Sequence, residues 1–343
     1  MSPPLRDALR TAHARLEDRP LVVVLVAAAI TSSVVLTLAW QAGWQHMWGL
    51  ASARHSWAWL GACLAGELAA YGGYVLTLRG LARVDDGPEL GIATSLRAVV
   101  AGFGVFAATR SSGGFAVDYW AFRQAGAGKR KAIQRVLGLG FLEYVVLSVS
   151  ALAASVLLFF GWDGHERPAI TLPALIVIPV LVVALWMTSP KRAERLSRRR
   201  EGRIRRLFAD SVGGAVTVRA LLRKPRRHGT GILGTAIYYG GDILCLWAAL
   251  RLVDVQVPVA ALVLGYTAGY LLTRRALPAG GAGFVEVALT LGLAGMGIGF
   301  APALLGVVVY RVFNFWLPIV PALALMPAVR DLRERFQHAE QVV

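Results

Sequence analysis

Cysteine is almost missing from this 343-residue chain: Cys63 and Cys245 are the only two, and both fall inside long apolar runs. That excludes a secretory disulfide framework and a thiolate metal site, and leaves two small residues of an apolar interior. Histidine is nearly as sparse, and His13, His46, His55, His165, His228 and His338 are scattered along the chain. No Ser/His/Asp set and no phosphate-cradling Gly-rich loop with a following Lys is found, which removes the usual signatures of hydrolytic and nucleotide-driven chemistry. No catalytic residue, metal or cofactor is expected, and the chain reads as a non-enzyme. Acid is scarce as well: 20 Asp and Glu stand against 36 Lys and Arg, a net charge of +16. In a soluble protein that excess would suggest nucleic acid. Here most of the bases lie between apolar runs and report topology, so no nucleic-acid partner is expected.

What the chain has in abundance is hydrophobicity, at 56% of residues with a mean hydropathy of +0.57. That composition belongs to an all-α polytopic membrane protein. Apolar runs stand at 21–40, 57–78, 133–160, 169–187, 231–250 and 303–329, each close to or above the ~20 residues that cross a bilayer as a helix. About six full transmembrane helices are predicted. The first follows Arg6, Arg10, Arg15 and Arg19 as a signal peptide would, but its apolar part is too long and no small-residue cleavage site follows, so it reads as a retained span.

The loop 188–229 carries a dense run of cations, among them Arg198, Arg199, Arg200, Arg205, Arg206, Arg226 and Arg227, and is expected on the cytoplasmic side. It also suits a pair of amphipathic helices resting on anionic lipid. The cation-poor stretches 163–168 and 252–258 are expected outside. The arm 1–20 and the tail 330–343 are basic and expected in the cytoplasm, which makes this a multi-pass protein of the cell membrane.

Two segments, 92–122 and 259–298, do not fit as simple spans. Between Arg97 and Arg110 lie only a dozen mostly apolar residues, about 18 Å of helix against a hydrocarbon thickness of about 30 Å. In the second segment, 259–273 is followed by Arg274, Arg275 and the break "LPAGGAGFVE", Leu277 to Glu286. Both read as re-entrant helical hairpins, broken at Gly113 and Gly114 in the first, and at Pro278, Gly280, Gly281 and Gly283 in the second. The hairpins also match at one offset: 281 − 113, 286 − 118 and 311 − 143 all equal 168. Each half thus reads as span, span, hairpin, span, with 21–160 and 169–329 in opposite orientations. That is the inverted-topology repeat of transporters, whose substrate sites lie at broken helices near the midplane.

At these residues the chain resembles the flippase-like membrane family represented by the transmembrane region of lysylphosphatidylglycerol synthase. The resemblance rests on "LPAGGAGFVEVAL" (Leu277–Leu289), "VVVYRVFNFWLPI" (Val307–Ile319) and "RSSGGFAVDYWAFRQAG" (Arg110–Gly126), and covers roughly residues 20 to 330. The family usually shows Pro-Gly-Gly where Pro278-Ala279-Gly280-Gly281 stands here, and Ser111–Ser112 replaces the proline of the first motif. The resemblance implies a protein that moves or presents lipids or lipid-linked substrates, without the soluble aminoacyl-transferase domain that bifunctional members append.

Ionisable residues at membrane depth are expensive and raise a functional hypothesis. Arg110, Asp118 and Glu143 in the first half, and Arg275, Glu286 and Arg311 in the second, are the candidate substrate-binding residues, with Asn314 a further polar contact three residues beyond Arg311. The arginines would hold an anionic headgroup through paired hydrogen bonds, while the acids balance them or carry a coupling proton. The competing reading makes the same charges structural pairs that pin hairpins to spans. Arg274, Glu67 and Asp242 carry less weight, since a terminal arginine can snorkel and an isolated acid can bond a neighbouring helix. The leading expectation is a translocator for an anionic phospholipid or polyprenyl-phosphate-linked substrate. A lipid-modifying transferase, a scaffold presenting lipid to a partner enzyme of envelope metabolism, and a transporter of a soluble anion are the alternatives.

Overall fold

The computed structural model describes residues 20–52, 56–108, 112–161, 203–270 and 281–322, with scattered positions between 175 and 183. Most of these residues are helical, with short links between helices and no strand among them. In chain order the helices are α1 (Pro20–Ala42), α2 (Trp44–Ser52), α3 (Ala58–Ala82), α4 (Ile92–Ala108), α5 (Ser112–Gln124), α6 (Lys129–Phe159), α7 (Arg203–Arg223), α8 (Pro225–Leu252), α9 (Val259–Tyr270), α10 (Phe284–Gly295) and α11 (Phe300–Arg311). The last continues through a π-helical turn, Val312–Trp316.

The most extensive helix contact is the antiparallel packing of α3 on α8. Glycine makes it possible. A Cβ at Gly66 would strike the backbone of Gly241 and Cys245, and one at Gly73 would strike Gly234 and Tyr238, as their counterparts on α8 would strike α3. With side chains removed, the two backbones come close enough for dispersion to hold them where lipid supplies no hydrophobic drive. Cys63 Sγ donates to the Cys245 carbonyl at 3.5 Å and the hydroxyls of Thr77 and Thr235 lie 3.1 Å apart within the same contact. Neither cysteine is in a disulfide.

Four helical segments among the described residues are long and apolar enough to cross a membrane: Val24–Ala42, Lys129–Phe159, Gly229–Leu252 and Phe300–Ala322. Of the about six spans expected, the run 57–78 forms α3, which has the length, at 25 residues, but Glu67, Tyr71, Tyr74 and its glycines dilute its hydropathy. The run 169–187 lies almost wholly outside the described residues. α1 runs antiparallel to α11, with Ala39 near Ala301 and Leu304 at one end and Val24 near Phe315 and Ile319 at the other. Leu25, Val26, Ile30 and Leu36 of α1 remain exposed, as residues facing lipid would be.

Of the remaining helices, α7 has 21 residues and the others are shorter. α9 and α10 have 12 residues each, about 18 Å, and pack on each other; α4 and α5 form a second such pair. α10 can start where it does because Gly281 and Gly283 hold φ of 69° and 81°, the left-handed region that costs glycine nothing and other residues a steric penalty. α11 carries Pro302 in its first turn, where a missing N–H breaks no hydrogen bond.

Candidate functional site

Two carboxylate centres lie side by side in the interior, on α8 and on α10. Glu286, in the first turn of α10, has no exposed surface, and its Oε1 accepts a 2.8 Å hydrogen bond from Arg311 Nε at the end of α11. Arg311 is 4% exposed and its guanidinium lies over the Phe315 ring, 4.2 Å from the centroid. Glu286 Oε2 has no hydrogen-bond partner.

The second centre is Asp242, also fully buried. Its Oδ1 accepts from Tyr310 Oη at 2.9 Å and from Asn314 Nδ2 at 2.6 Å, and its Oδ2 accepts from the Tyr266 hydroxyl. The three donors come from three elements: α11, the π turn and α9. The π turn adds a residue to the local repeat. It lets Arg311 reach α10 and Asn314, three residues on, reach α8. Glu67 of α3, 3% exposed, adjoins Asp242, Asn314 and Cys245, and its Oε1 is without a hydrogen-bond partner.

The candidate residues of the first half are arranged differently. Asp118 of α5 is buried and its Oδ2 accepts a 2.9 Å hydrogen bond from the Tyr74 hydroxyl of α3. Glu143 is buried midway along α6 and acts electrostatically on Tyr270 of α9, as do Asp242 and Arg311. Tyr270 stacks on Tyr266, with centroids 4.8 Å apart, and so adjoins the side chain whose hydroxyl donates to Asp242. Gly113 and Gly114 lie in the first turn of α5. Arg110, Arg274, Arg275, Pro278 and Gly280 fall outside the described residues.

The structure thus brings together Glu286, Arg311 and Asn314, and it draws Asp242 and Glu67 to the same place. Sequence reasoning gave those two acids little weight and assigned no site role to Tyr266 or Tyr310. One signal could have found the region: "YGGY" at Tyr71–Tyr74 and "YGGD" at Tyr239–Asp242 match at the offset 239 − 71 = 168, the same one that relates the hairpins. It places Asp242 opposite Tyr74, the hydroxyl that holds Asp118.

No group of three or more His, Cys, Asp and Glu suited to a metal is present among the described residues. Chemically, the arrangement can exchange an anion on a buried guanidinium and can bind or release protons at carboxylates kept from water. Comparison with curated proteins gives no match. The family described as "Lysylphosphatidylglycerol synthase TM region" matches residues 23–322, most of the chain and every helix that builds the two carboxylate centres. The chain belongs to that family, which makes it a multi-pass, lipid-related membrane protein.

Proposed function

We propose that the chain is a lipid translocator of the cell membrane, binding an anionic phospholipid or a polyprenyl-phosphate-linked substrate near the bilayer midplane between two re-entrant hairpins. The observation that carries the reading is the ion pair of Arg311 and Glu286, with side chains 4% and 0% exposed. Guanidinium does not lose its charge and presents two parallel donors to a phosphate. Glu286 balances it when no substrate is bound, and an anionic headgroup entering between α10 and α11 takes its place. The short helix pairs support this, because backbone breaks at membrane depth persist only where protein or a water-filled cavity satisfies the freed groups.

The α3–α8 contact supports the inverted repeat. Gly66 meets Gly241 and Gly73 meets Gly234; adding 168 to 66 and 73 gives 234 and 241, so exchanging the halves maps the contact onto itself. Helices related by a pseudo-two-fold axis in the membrane plane would pack this way.

The test is headgroup accessibility in proteoliposomes of the pure protein, with labelled phosphatidylglycerol, a neutral lipid and a short polyprenyl phosphate in parallel. Protein-dependent movement of an anionic lipid is expected, reduced at least about tenfold in Arg311→Lys, which keeps the charge and loses the fork. Movement unchanged in that variant would remove Arg311 from the site. No movement of any lipid by folded protein would favour the scaffold reading, in which lipid is presented to a partner enzyme.

A further inference from the structure

Among the described residues, the carboxylates near α8 outnumber the cations that face them. Asp242 has no exposed surface, and all three of its hydrogen-bond donors, Tyr266, Tyr310 and Asn314, are neutral. Glu67 adjoins it across the glycine-packed contact, 3% exposed, with Oε1 unpartnered. Arg311 lies within electrostatic reach of Asp242, but its Nε is bonded to Glu286. Among the described residues, the other titratable groups facing the pair are Tyr71 of α3 itself, Cys245 of α8 and Tyr270 of α9; Glu143 of α6 acts on Tyr270. The sole ionisable residue of α4, which also packs on α3, is Arg97, and it is exposed. α7 ends at Arg223, next to the start of α8, and Asp242 lies about 25 Å further along that helix.

Two carboxylates in contact and shut off from water do not both ionise, because each charge has lost its hydration and repels the other. We propose that Glu67 and Asp242 form a proton-binding site that holds one proton between two helices. Asp242, with donors on both oxygens, is built to carry the negative charge. Glu67, with an oxygen that accepts nothing, is built to carry the proton and donate its O–H to Asp242. On release the proton passes to water, Glu67 becomes a carboxylate, its hydrogen bond to Asp242 is lost, and the site gains one unit of negative charge. That adds like-charge repulsion across the α3–α8 contact and a second anion beside Arg311, so proton release would compete with Glu286 for the arginine. The inference does not rest on the translocator reading, since proton binding needs no substrate.

The experiment is infrared difference spectroscopy of the full-length protein in detergent, titrated from acid to alkaline pH without added lipid. The wild type is expected to show a protonated carboxyl C=O band at neutral pH that is lost on alkaline titration. Glu67→Gln should abolish it. Asp242→Asn should retain it and move its loss to lower pH by at least about one unit, because the repelling neighbour is gone; Glu286→Gln should also keep the band and move its loss to lower pH, because Arg311 is then free to face the pair. A band that survives in Glu67→Gln, or wild type with no protonated carboxyl at neutral pH, would overturn the proposal. Should Glu67→Gln not fold, Tyr310→Phe serves instead: removing a donor weakens Asp242 as an anion and must shift the titration, and an unshifted titration counts against the pair. Because no lipid is present, failure here leaves the translocator reading standing, and failure of the lipid assay leaves the proton site standing.

Discussion

Arg311 is held by a carboxylate on one side and an aromatic ring on the other, with almost no water in reach. Removing one member of such a pair strands the other as a buried charge, which costs about 3–5 kcal/mol, whereas replacing both with apolar side chains is often close to neutral. Arg311→Ala should therefore lower thermal stability in detergent sharply, and Arg311→Met combined with Glu286→Leu should recover most of the loss. A double variant as unstable as the single one would mean that Arg311 is held by groups other than Glu286. Both residues were legible in the sequence, because an ionisable side chain in an apolar run demands a partner. Their pairing was not, since 25 positions separate them and nothing in one sequence reports distance. The hydroxyls on Asp242 were hidden for another reason: Tyr266 and Tyr310 merge into apolar helices, and only the fold turns their polar ends inward.

The antiparallel pair α3 and α8 depends on which glycines face the contact. Gly73 is buried, and a methyl group there would strike the backbone of α8; the adjacent Gly72 points into open space. Gly73→Ala should push the helices apart and destabilise the protein by at least about 1–3 kcal/mol, the usual cost of overpacking. Gly72→Ala should be neutral, or stabilising by up to about 1 kcal/mol through helix propensity. Equal midpoints for the two variants in a thermal melt would mean that close backbone approach does not hold this pair. Element boundaries followed from composition where the signal was length: α9 begins at Val259 and α4 at Ile92, the starts expected for the two hairpins. They were less legible where the signal was glycine. Gly113 and Gly114 read as the break of the first hairpin; they lie in the first turn of α5, directly after residues 109–111, which fall outside the described residues.

The two ends of the molecule differ in charge and in aromatic content. At one end the C-terminus of α3 lies beside the start of α8, where Gly80 meets Gly231, and close to the first turns of α6; Arg79 and Arg83 belong to the former and Lys129, Arg130 and Lys131 to the latter. The Arg135 guanidinium ties that end by donating to the Val84 carbonyl at 3.2 Å. At the other end Trp40, Trp44, Trp48 and Trp57 are exposed, and Arg251 lies 5.4 Å from the centroid of Trp247. Exposed tryptophans suit a membrane interface, and clustered Lys and Arg mark the cytoplasmic face. Glu89 and Gln256 are exposed residues, one at each end, while the native Cys63 and Cys245 are fully buried and should resist a membrane-impermeant thiol reagent. Glu89→Cys should then react only after the membrane is opened, and Gln256→Cys in intact right-side-out vesicles. The reverse pattern would invert the orientation read from charge. Labelling of both from one side would place the two loops on the same face, which is incompatible with α8 and its antiparallel partner α3 each crossing the bilayer.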